Sequence, residues 1–506
     1  MSREKILNLP GLLDTVQAAR AGGVAKVVHC HGVFDLLHVG HIRYLEQAKR
    51  SGDLLVVTLT QDIHVDKGPH RPAFTEQLRA EALAALHCVD FVAINDTPTA
   101  VGAIAAIKPD YYAKGAEYQI NRTEEIIAEE QAVTAACGQM LYVEDLTSSS
   151  TLLINRHLDV FPDEVREYLA EFRTRHSAGE VLAALESIKP LKVLVLGETI
   201  IDEYQVCESI GKSSKEPALV AKYMSTETFA GGVLAVGNHI AGFAEDVKLL
   251  TFLGARDSAE DFVRGHLQPG LELDVLYLKD APTIVKRRFL DNYLLTKFFE
   301  VYIIEDRDLD PAEDEALCAR LEQCIDDYDL VVVSDFGHGM MSGRAIEIVS
   351  ARARFLAVNA QVNAGNKGFN TFSKYPRADF ICCNETEIRT EMRAKQAELK
   401  KLMRDMAAPI GCDQLIVTRG KFGNLCYSRE EGFREIPAFA NRVVDRVGAG
   451  DAVFALTAMC ACKAVSVEIM GFIGNAVGAE AVATLGNQRS VEMKTLQRTI
   501  RSLLAD

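Results

Sequence analysis

The chain has 506 residues, more than one ordinary hydrophobic core supports, so two or three domains are expected. Its 48% hydrophobic and 25% charged residues are those of a soluble globular protein, and a formal net charge of −16 argues against nucleic acid or an anionic membrane as the main partner. No stretch reaches the roughly 18 apolar residues of a membrane span, and the N-terminal MSREKILNLPGLLDTVQAARAGG lacks the apolar core of a signal peptide, so a cytoplasmic location is expected. In chain order, that N-terminal stretch reads as an amphipathic helix. Residues 26–150 then alternate β-branched runs with helical patterns. KVVHCHGVF, DLLVVTLT and VDFVAIND read as strands, DYYAKG follows them, and GHIRYLEQAKRSG, TEQLRAEALAALH and AVGAIAAIKP read as helices. This βαβ series predicts a parallel sheet covered by helices. Residues 158–190 are helical and charged and read as a linker or docking segment. A second series begins at LKVLVLGETIIDEY, with strands at VKLLTFLG, DLVVVSDFG, RFLAVNA, ADFICCNE and DQLIVTRG, and it ends in a long Ala/Gly-rich helical region. The 12 cysteines lie scattered in apolar runs, and Cys382-Cys383 and Cys460-x-Cys462 are not zinc spacings, so reduced thiols are expected.

Of the 12 histidines, four fall in HCHGVFDLLHVGH, residues 29–41. His38-Val39-Gly40-His41 lies where the first strand ends and the first helix begins. Ligands of parallel sheets bind there, and the N-terminus of a helix favours anions. Gly40 lets a ligand approach the backbone, and two imidazoles three residues apart can face one phosphate. Taken alone, such a pair also fits a metal site or plain surface histidines. The ten residues GVFDLLHVGH, with Gly32, Phe34 and Asp35, resemble the signature of cytidylyltransferase-like nucleotidyltransferases. The resemblance implies that His38 and His41 stabilise phosphate, whereas His29 and His31 read as structural. KGPHRP, with Lys67 and Arg71, resembles the mobile basic loop of that family. PDYYAKGAEY, with Lys114, resembles its P-D-x-x-x-K-G segment. The run Ser148, Ser149, Ser150 resembles its closing phosphate-binding motif. The implied reaction is attack by a phosphate oxygen on the α-phosphate of a nucleoside triphosphate, with pyrophosphate leaving. ATP is the favoured nucleotide, CTP the other possibility, and Mg²⁺ the implied metal.

DRVGAGDAVFALTAM, residues 445–459, presents a second anion site. Gly448, Ala449 and Gly450 place backbone N–H groups before an apolar helix, and Asp451 there can accept a proton from an attacking hydroxyl. A bare turn of this kind also fits a simple helix cap. The string resembles the D-x-x-G-A-G-D signature of PfkB-type, ribokinase-like sugar kinases. Other segments agree in order: GETIIDEY with Asp202 and AGGVLAVGN with Gly231 and Gly232 on the sugar side, PTIVKRRFL with Lys286 and Arg288, CCNETEI with Asn384 and Glu387 near Mg²⁺, and LIVTRGKFG with Thr418, Gly420 and Gly423 on the nucleotide side. The resemblance implies a three-layer α/β/α sandwich with a small β lid and, for such lids, a homodimer.

Together the two halves resemble the family of bifunctional heptose kinase/heptose-phosphate nucleotidyltransferases of lipopolysaccharide precursor synthesis, with the domain order reversed. The expected domains are a Rossmann-like nucleotidyltransferase over 1–157, a helical linker over 158–190 and a sugar kinase over 191–506. The partners implied are NTP and a sugar or sugar phosphate. Ala235, Asn359, His338 and Arg446 depart from the kinase pattern. They motivate an alternative in which only the nucleotidyltransferase works and the kinase-like half serves regulation or dimerisation.

Overall fold

The computed structural model describes residues 3–65, 72–120, 122–143, 161–293, 296–366, 368–440 and 443–505. The chain divides into two compact units that part between Val160 and Phe161. In the first, strands β1 (Ile6–Leu7), β2 (Val27–Gly32), β3 (Leu54–Thr60), β4 (Phe91–Asn95), β5 (Tyr111–Gly115) and β6 (Gln139–Val143) form one sheet in the order β1-β4-β3-β2-β5-β6. All its pairings are parallel. β3 is buried along its whole length, which explains why its sequence is a continuous apolar run rather than an alternation. The N-terminal stretch holds the expected helix, Leu9–Ala21, but also the two-residue edge strand β1, which the sequence did not announce. The chain reverses direction across the sheet between β2 and β5, so the crevice at the end of β2 is a topological switch point.

The second unit is the expected α/β/α sandwich with a lid. Its strands are β7 (Lys192–Gly197), β8 (Thr199–Lys212), β9 (Leu219–Gly232), β10 (Asp246–Arg256), β11 (Leu271–Pro282), β12 (Ile284–Asp291), β13 (Lys297–Ile303), β14 (Leu330–Asp335), β15 (Leu356–Ala360), β16 (Phe380–Asn384), β17 (Gln414–Thr418), β18 (Asn424–Ser428) and β19 (Gly432–Ile436). Nine form the central sheet, β11-β10-β7-β14-β15-β16-β17-β18-β19, and β13-β12-β8-β9 form the lid. Alternate residues of the central strands enter different cores. Val193, Val195 and Ile416 face one helical layer, while Leu194, Leu196 and Leu415 face the other.

The segment expected to link the domains forms two helices, Asp163–Arg175 and Ala178–Ser187. Their apolar stripes (Val165, Leu169, Phe172, Val181 and Leu185) are buried in the core of the second unit, where Phe172 stacks on Phe472 at 4.5 Å. The Ala/Gly-rich terminal region is two packed helices, Ala449–Cys462 and Val467–Ala481. The cysteines are free thiols, and no helix among the described residues is long and apolar enough to cross a membrane.

Candidate functional sites

In the first unit, His38 caps the helix Val39–Arg50, and its Nδ1 accepts the Gly40 N–H at 3.1 Å. A neutral ring so held carries its proton on Nε2. The His38 and His41 rings lie 4.0 Å apart, and Phe34 meets His41 edge-on at 5.4 Å. Phe34 takes a left-handed φ of 48°, an uncommon backbone for an aromatic residue, at the turn that delivers the pair to the sheet edge. Asp35 accepts the N–H groups of Ala73 at 2.5 Å and Phe74 at 3.3 Å, so it pins the chain just after the basic segment. Gly32 ends β2, where a Cβ would press on the Phe34 ring at 3.3 Å. Lys114 pairs with the buried Glu129 at 2.8 Å and lies over the rings of Tyr112 and Tyr118. Lys67, Arg71, Ser148, Ser149 and Ser150 lie outside the described residues.

His29 and His31 are structural. Both rings bond the Thr58 hydroxyl, at 2.7 and 2.8 Å, and burial lowers the pKa of His29 and brings that of His31 to about 3. Sequence reasoning missed Arg79. This buried guanidinium donates to the carbonyls of Val33 at 2.5 Å, Thr60 at 2.8 Å and Phe74 at 3.0 Å, and to Asp62. It therefore ties together the chain leaving β2 and β3, where the histidine pair sits. A lone arginine in a helix of mixed polarity gave no signal for that role.

In the second unit, a cavity of about 280 Å³ brings together Asp202, Gly232, Lys286, Arg288, Asn384, Glu387, Thr418, Gly448, Gly450 and Asp451, residues drawn from six separate segments. Gly231 stands just behind it, where a Cβ would collide with the Asp202 carboxylate. Gly448 has φ 84°, and a Cβ there would strike the Asn487 side chain, so only glycine permits the turn that leads into the helix. Ala449 opens that helix, while Gly420 and Gly423 shape the turn from β17 to β18 and do not line the cavity.

Asp451 is partly buried. Desolvation and the nearby Asp202 carboxylate push its pKa up to about 7, against a lowering hydrogen bond from Gln361 at 3.0 Å. Asp202 is ion-paired with Arg288, which also meets Glu300 at 3.1 Å. Lys286 lies over the faces of Tyr302 and Phe336, at 5.1 and 5.4 Å, and makes no ion pair among the described residues. Burial lowers its pKa, and Asp202 opposes that.

Asn384 and Glu387 form a capping box. Each accepts the backbone N–H of the other, at 2.8 and 2.9 Å, and Glu387 also takes the Val362 N–H at 3.3 Å. Burial pushes Glu387 up to about 7. Among the described residues no group of three acidic, histidine or cysteine side chains could hold a metal. The donors at this edge of the cavity are hard oxygens, and the Asn359 Oδ1 there has no hydrogen-bond partner. Such a sparse oxygen set fits Mg²⁺, which keeps most of its ligands as water and substrate phosphate.

Asp445, which the sequence reading left without a role, organises the anion turn. It accepts the N–H groups of Arg446 at 2.7 Å, Val447 at 3.2 Å and Gly486 at 3.1 Å, together with the Tyr204 hydroxyl at 2.6 Å and Lys297 at 3.1 Å. Its place as the first residue of D-x-x-G-A-G-D was the available signal. Of the departures from the kinase pattern, Ala235 is buried in the helix Val233–Ala241, Asn359 and Arg446 line the cavity, and His338 is buried with its pKa lowered to about 4 by desolvation.

Comparison with known proteins finds a family match in each unit. Residues 190–494 match the pfkB family carbohydrate kinases, and residues 29–156 match the cytidylyltransferase-like family. A protein of Syntrophotalea carbinolica named bifunctional protein HldE is 39% identical over 158 residues, 31% of this chain and 31% of that protein. One of the same name from Shewanella amazonensis is 28% identical over 310 residues, 60% of this chain and 62% of that protein. These matches therefore span from about a third to under two thirds of the relatives' own length. A crystal structure of phosphofructokinase-2 from Escherichia coli with substrates and products covers 62% of this chain and 99% of its own, with a TM-score of 0.50 and 14% identity, and shows the shared fold.

Proposed function

The chain belongs to the pfkB family of carbohydrate kinases, and we propose that it is a bifunctional transferase of nucleotide-activated sugar synthesis, with a kinase in the second unit and a nucleotidyltransferase in the first. The observation that carries the reading is the cavity in which a partly buried carboxylate, Asp451, meets the anion turn Gly448–Gly450 and the charged lid residues Asp202, Lys286 and Arg288.

In the second unit, a hydroxyl of the acceptor gives its proton to Asp451 as its oxygen attacks the terminal phosphorus of ATP. The bond to the β-phosphate oxygen breaks and ADP leaves. The N–H groups of the turn face the charge that develops. Lys286 is buried and makes no direct ion pair among the described residues, which favours an acceptor bearing its own anionic group, a sugar phosphate rather than a free sugar. Asn384 and Glu387 would hold Mg²⁺ at this edge of the cavity, where it would neutralise phosphate charge.

In the first unit, an oxygen of a sugar 1-phosphate attacks the α-phosphorus of an NTP and pyrophosphate leaves. His38 and His41 present imidazoles to the phosphate, and Lys67, Arg71, Lys114 and Ser148 to Ser150 complete the nucleotide site. ATP is the favoured nucleotide, with CTP second. The product is a heptose-like nucleotide sugar of lipopolysaccharide or capsule synthesis made in the cytoplasm. The chain acts as a homodimer through its lid, where Leu219, Tyr223 and Phe299 are exposed.

A substrate screen tests the assignment. Purified protein with Mg²⁺ is given each of ATP, CTP, GTP and UTP with heptoses, hexoses and their phosphates, and ADP and pyrophosphate are read separately. Acceptor-dependent ADP release with pyrophosphate release from a sugar 1-phosphate is expected. Pyrophosphate alone across the panel would remove the kinase half of the reading.

A further inference from the structure

The chain at the end of β15 and just beyond it, VNAQVNAGN, stands where the kinase pattern has D-P-K, and the reaction above gives it no part. It is rich in side-chain amides, and their hydrogen bonds converge on one residue. The Gln361 N–H donates to the Asp335 carbonyl at 2.8 Å, and the Gln361 carbonyl accepts from Asn366 Nδ2 at 2.8 Å and Asn370 Nδ2 at 3.3 Å. Those asparagines are themselves fastened to the end of β14. Asn370 Nδ2 donates to the Asp335 carbonyl at 2.8 Å, Asn366 Nδ2 to the Phe336 carbonyl at 3.0 Å, and Asn363 Nδ2 to the same carbonyl at 2.7 Å. Both polar groups of the Gln361 backbone are thus clamped, and its side-chain Nε2 donates to Asp451 Oδ1 at 3.0 Å across 90 positions of sequence.

We propose that Gln361 is the positioning residue of Asp451, and that the asparagine clamp is the device that holds it there. An ionised carboxylate only accepts hydrogen bonds, so the amide nitrogen fixes Oδ1 and favours the charged form. Oδ2, which has no hydrogen-bond partner among the described residues, is left to take the proton of the acceptor hydroxyl. The charged and titratable groups around Asp451 are Asp202, Lys286, Arg288 and Tyr302 of the lid strands, Cys382 and Cys383 of β16, Glu387 of the helix that follows it, and Arg446 of the anion turn. Asp202 and Glu387 disfavour the charged form, so the amide acts against them. The inference rests on the reading of Asp451 as the base of the kinase.

The test uses the full chain with Gln361→Ala and Gln361→Glu. Two quantities are followed against pH: kcat of phosphoryl transfer, and ionisation of the Asp451 carboxyl by infrared spectroscopy of protein with isotope-labelled aspartate, its band identified by loss in Asp451→Asn. Losing one hydrogen bond to the carboxylate is expected to move both midpoints up by about one pH unit in Gln361→Ala. Gln361→Glu, which sets a second carboxylate beside the first, moves them further, while KM for ATP changes less than about twofold because the nucleotide side is untouched. Midpoints that stay at the wild-type value in both variants, with or without loss of rate, overturn the proposal, because a merely structural loop would lower activity without moving the titration. If the wild-type chain phosphorylates no acceptor, the kinase reading fails. The infrared midpoint then decides the role of Gln361 by itself: a shift supports it and no shift removes it.

Discussion

Asp451 has opposite consequences for activity and for stability. A base must be ionised to work, so kcat/KM of the kinase is expected to rise with pH through about 7 and then level off, and a rate profile across that range checks it. Folding follows the other sign. The carboxyl is raised in the folded chain above its ordinary value of 3.8, so its stabilising contribution is complete below that value and is lost as pH rises through about 7. Asp451→Asn should therefore abolish phosphoryl transfer and yet stabilise the second unit by a few kcal/mol at about pH 8, with little gain at roughly pH 4. Thermal unfolding of the two proteins at both values tests this, and a variant no more stable than wild type at the higher pH would contradict it. At the other site, the His41 ring lies beside that of His38 on the first turn of its helix. His41→Ala is expected to cut nucleotidyl transfer by roughly two orders of magnitude or more, read as pyrophosphate release.

Among the elements, the strand ends of the first unit depend on one side chain. Arg79 satisfies three backbone carbonyls at the ends of β2 and β3 and in the chain that follows. Arg79→Leu removes the donor to the buried Thr60 carbonyl and the bonds to Val33 and Phe74, which should cost about 3 kcal/mol and show as an earlier denaturant midpoint for the first unit. The lid presents the reverse situation, apolar side chains without cover. Leu219 is 69% exposed, Tyr223 60% and Phe299 57%. If the lid pairs two chains, Leu219→Glu with Phe299→Glu converts a dimer into a monomer by light scattering. An unchanged mass would refute pairing through these strands. The helices Asp163–Arg175 and Ala178–Ser187 looked like a linker because their exposed faces are densely charged. Their spacing showed an apolar stripe but not which core would cover it.

At the scale of the whole molecule, each unit has its own apolar cores, and each carries the complete described part of one site. The two activities should therefore separate. His41→Ala is expected to keep acceptor-dependent ADP release at the wild-type rate, and Asp451→Asn to keep pyrophosphate release. Loss of both activities in either folded variant would show that the sites are coupled.

Much of this was legible in the linear chain because it depends on local order. The buried parallel strands are apolar runs of four to eight residues, the turns that hold phosphate need glycine beside a helix start, and H-V-G-H and G-A-G-D each put their chemistry within a few adjacent residues. The sequence by itself therefore determined the two α/β units, the histidine pair and the placement of Asp451 at an anion turn. Only the tertiary structure decided what surrounds them. Gln361 reaches Asp451 across 90 positions, Arg79 gathers carbonyls from three separate segments, and Lys286 lies buried against two aromatic faces. These relations arise from how strands pair and loops pack, and burial then sets the charge of each group. Neither periodicity nor spacing encodes that.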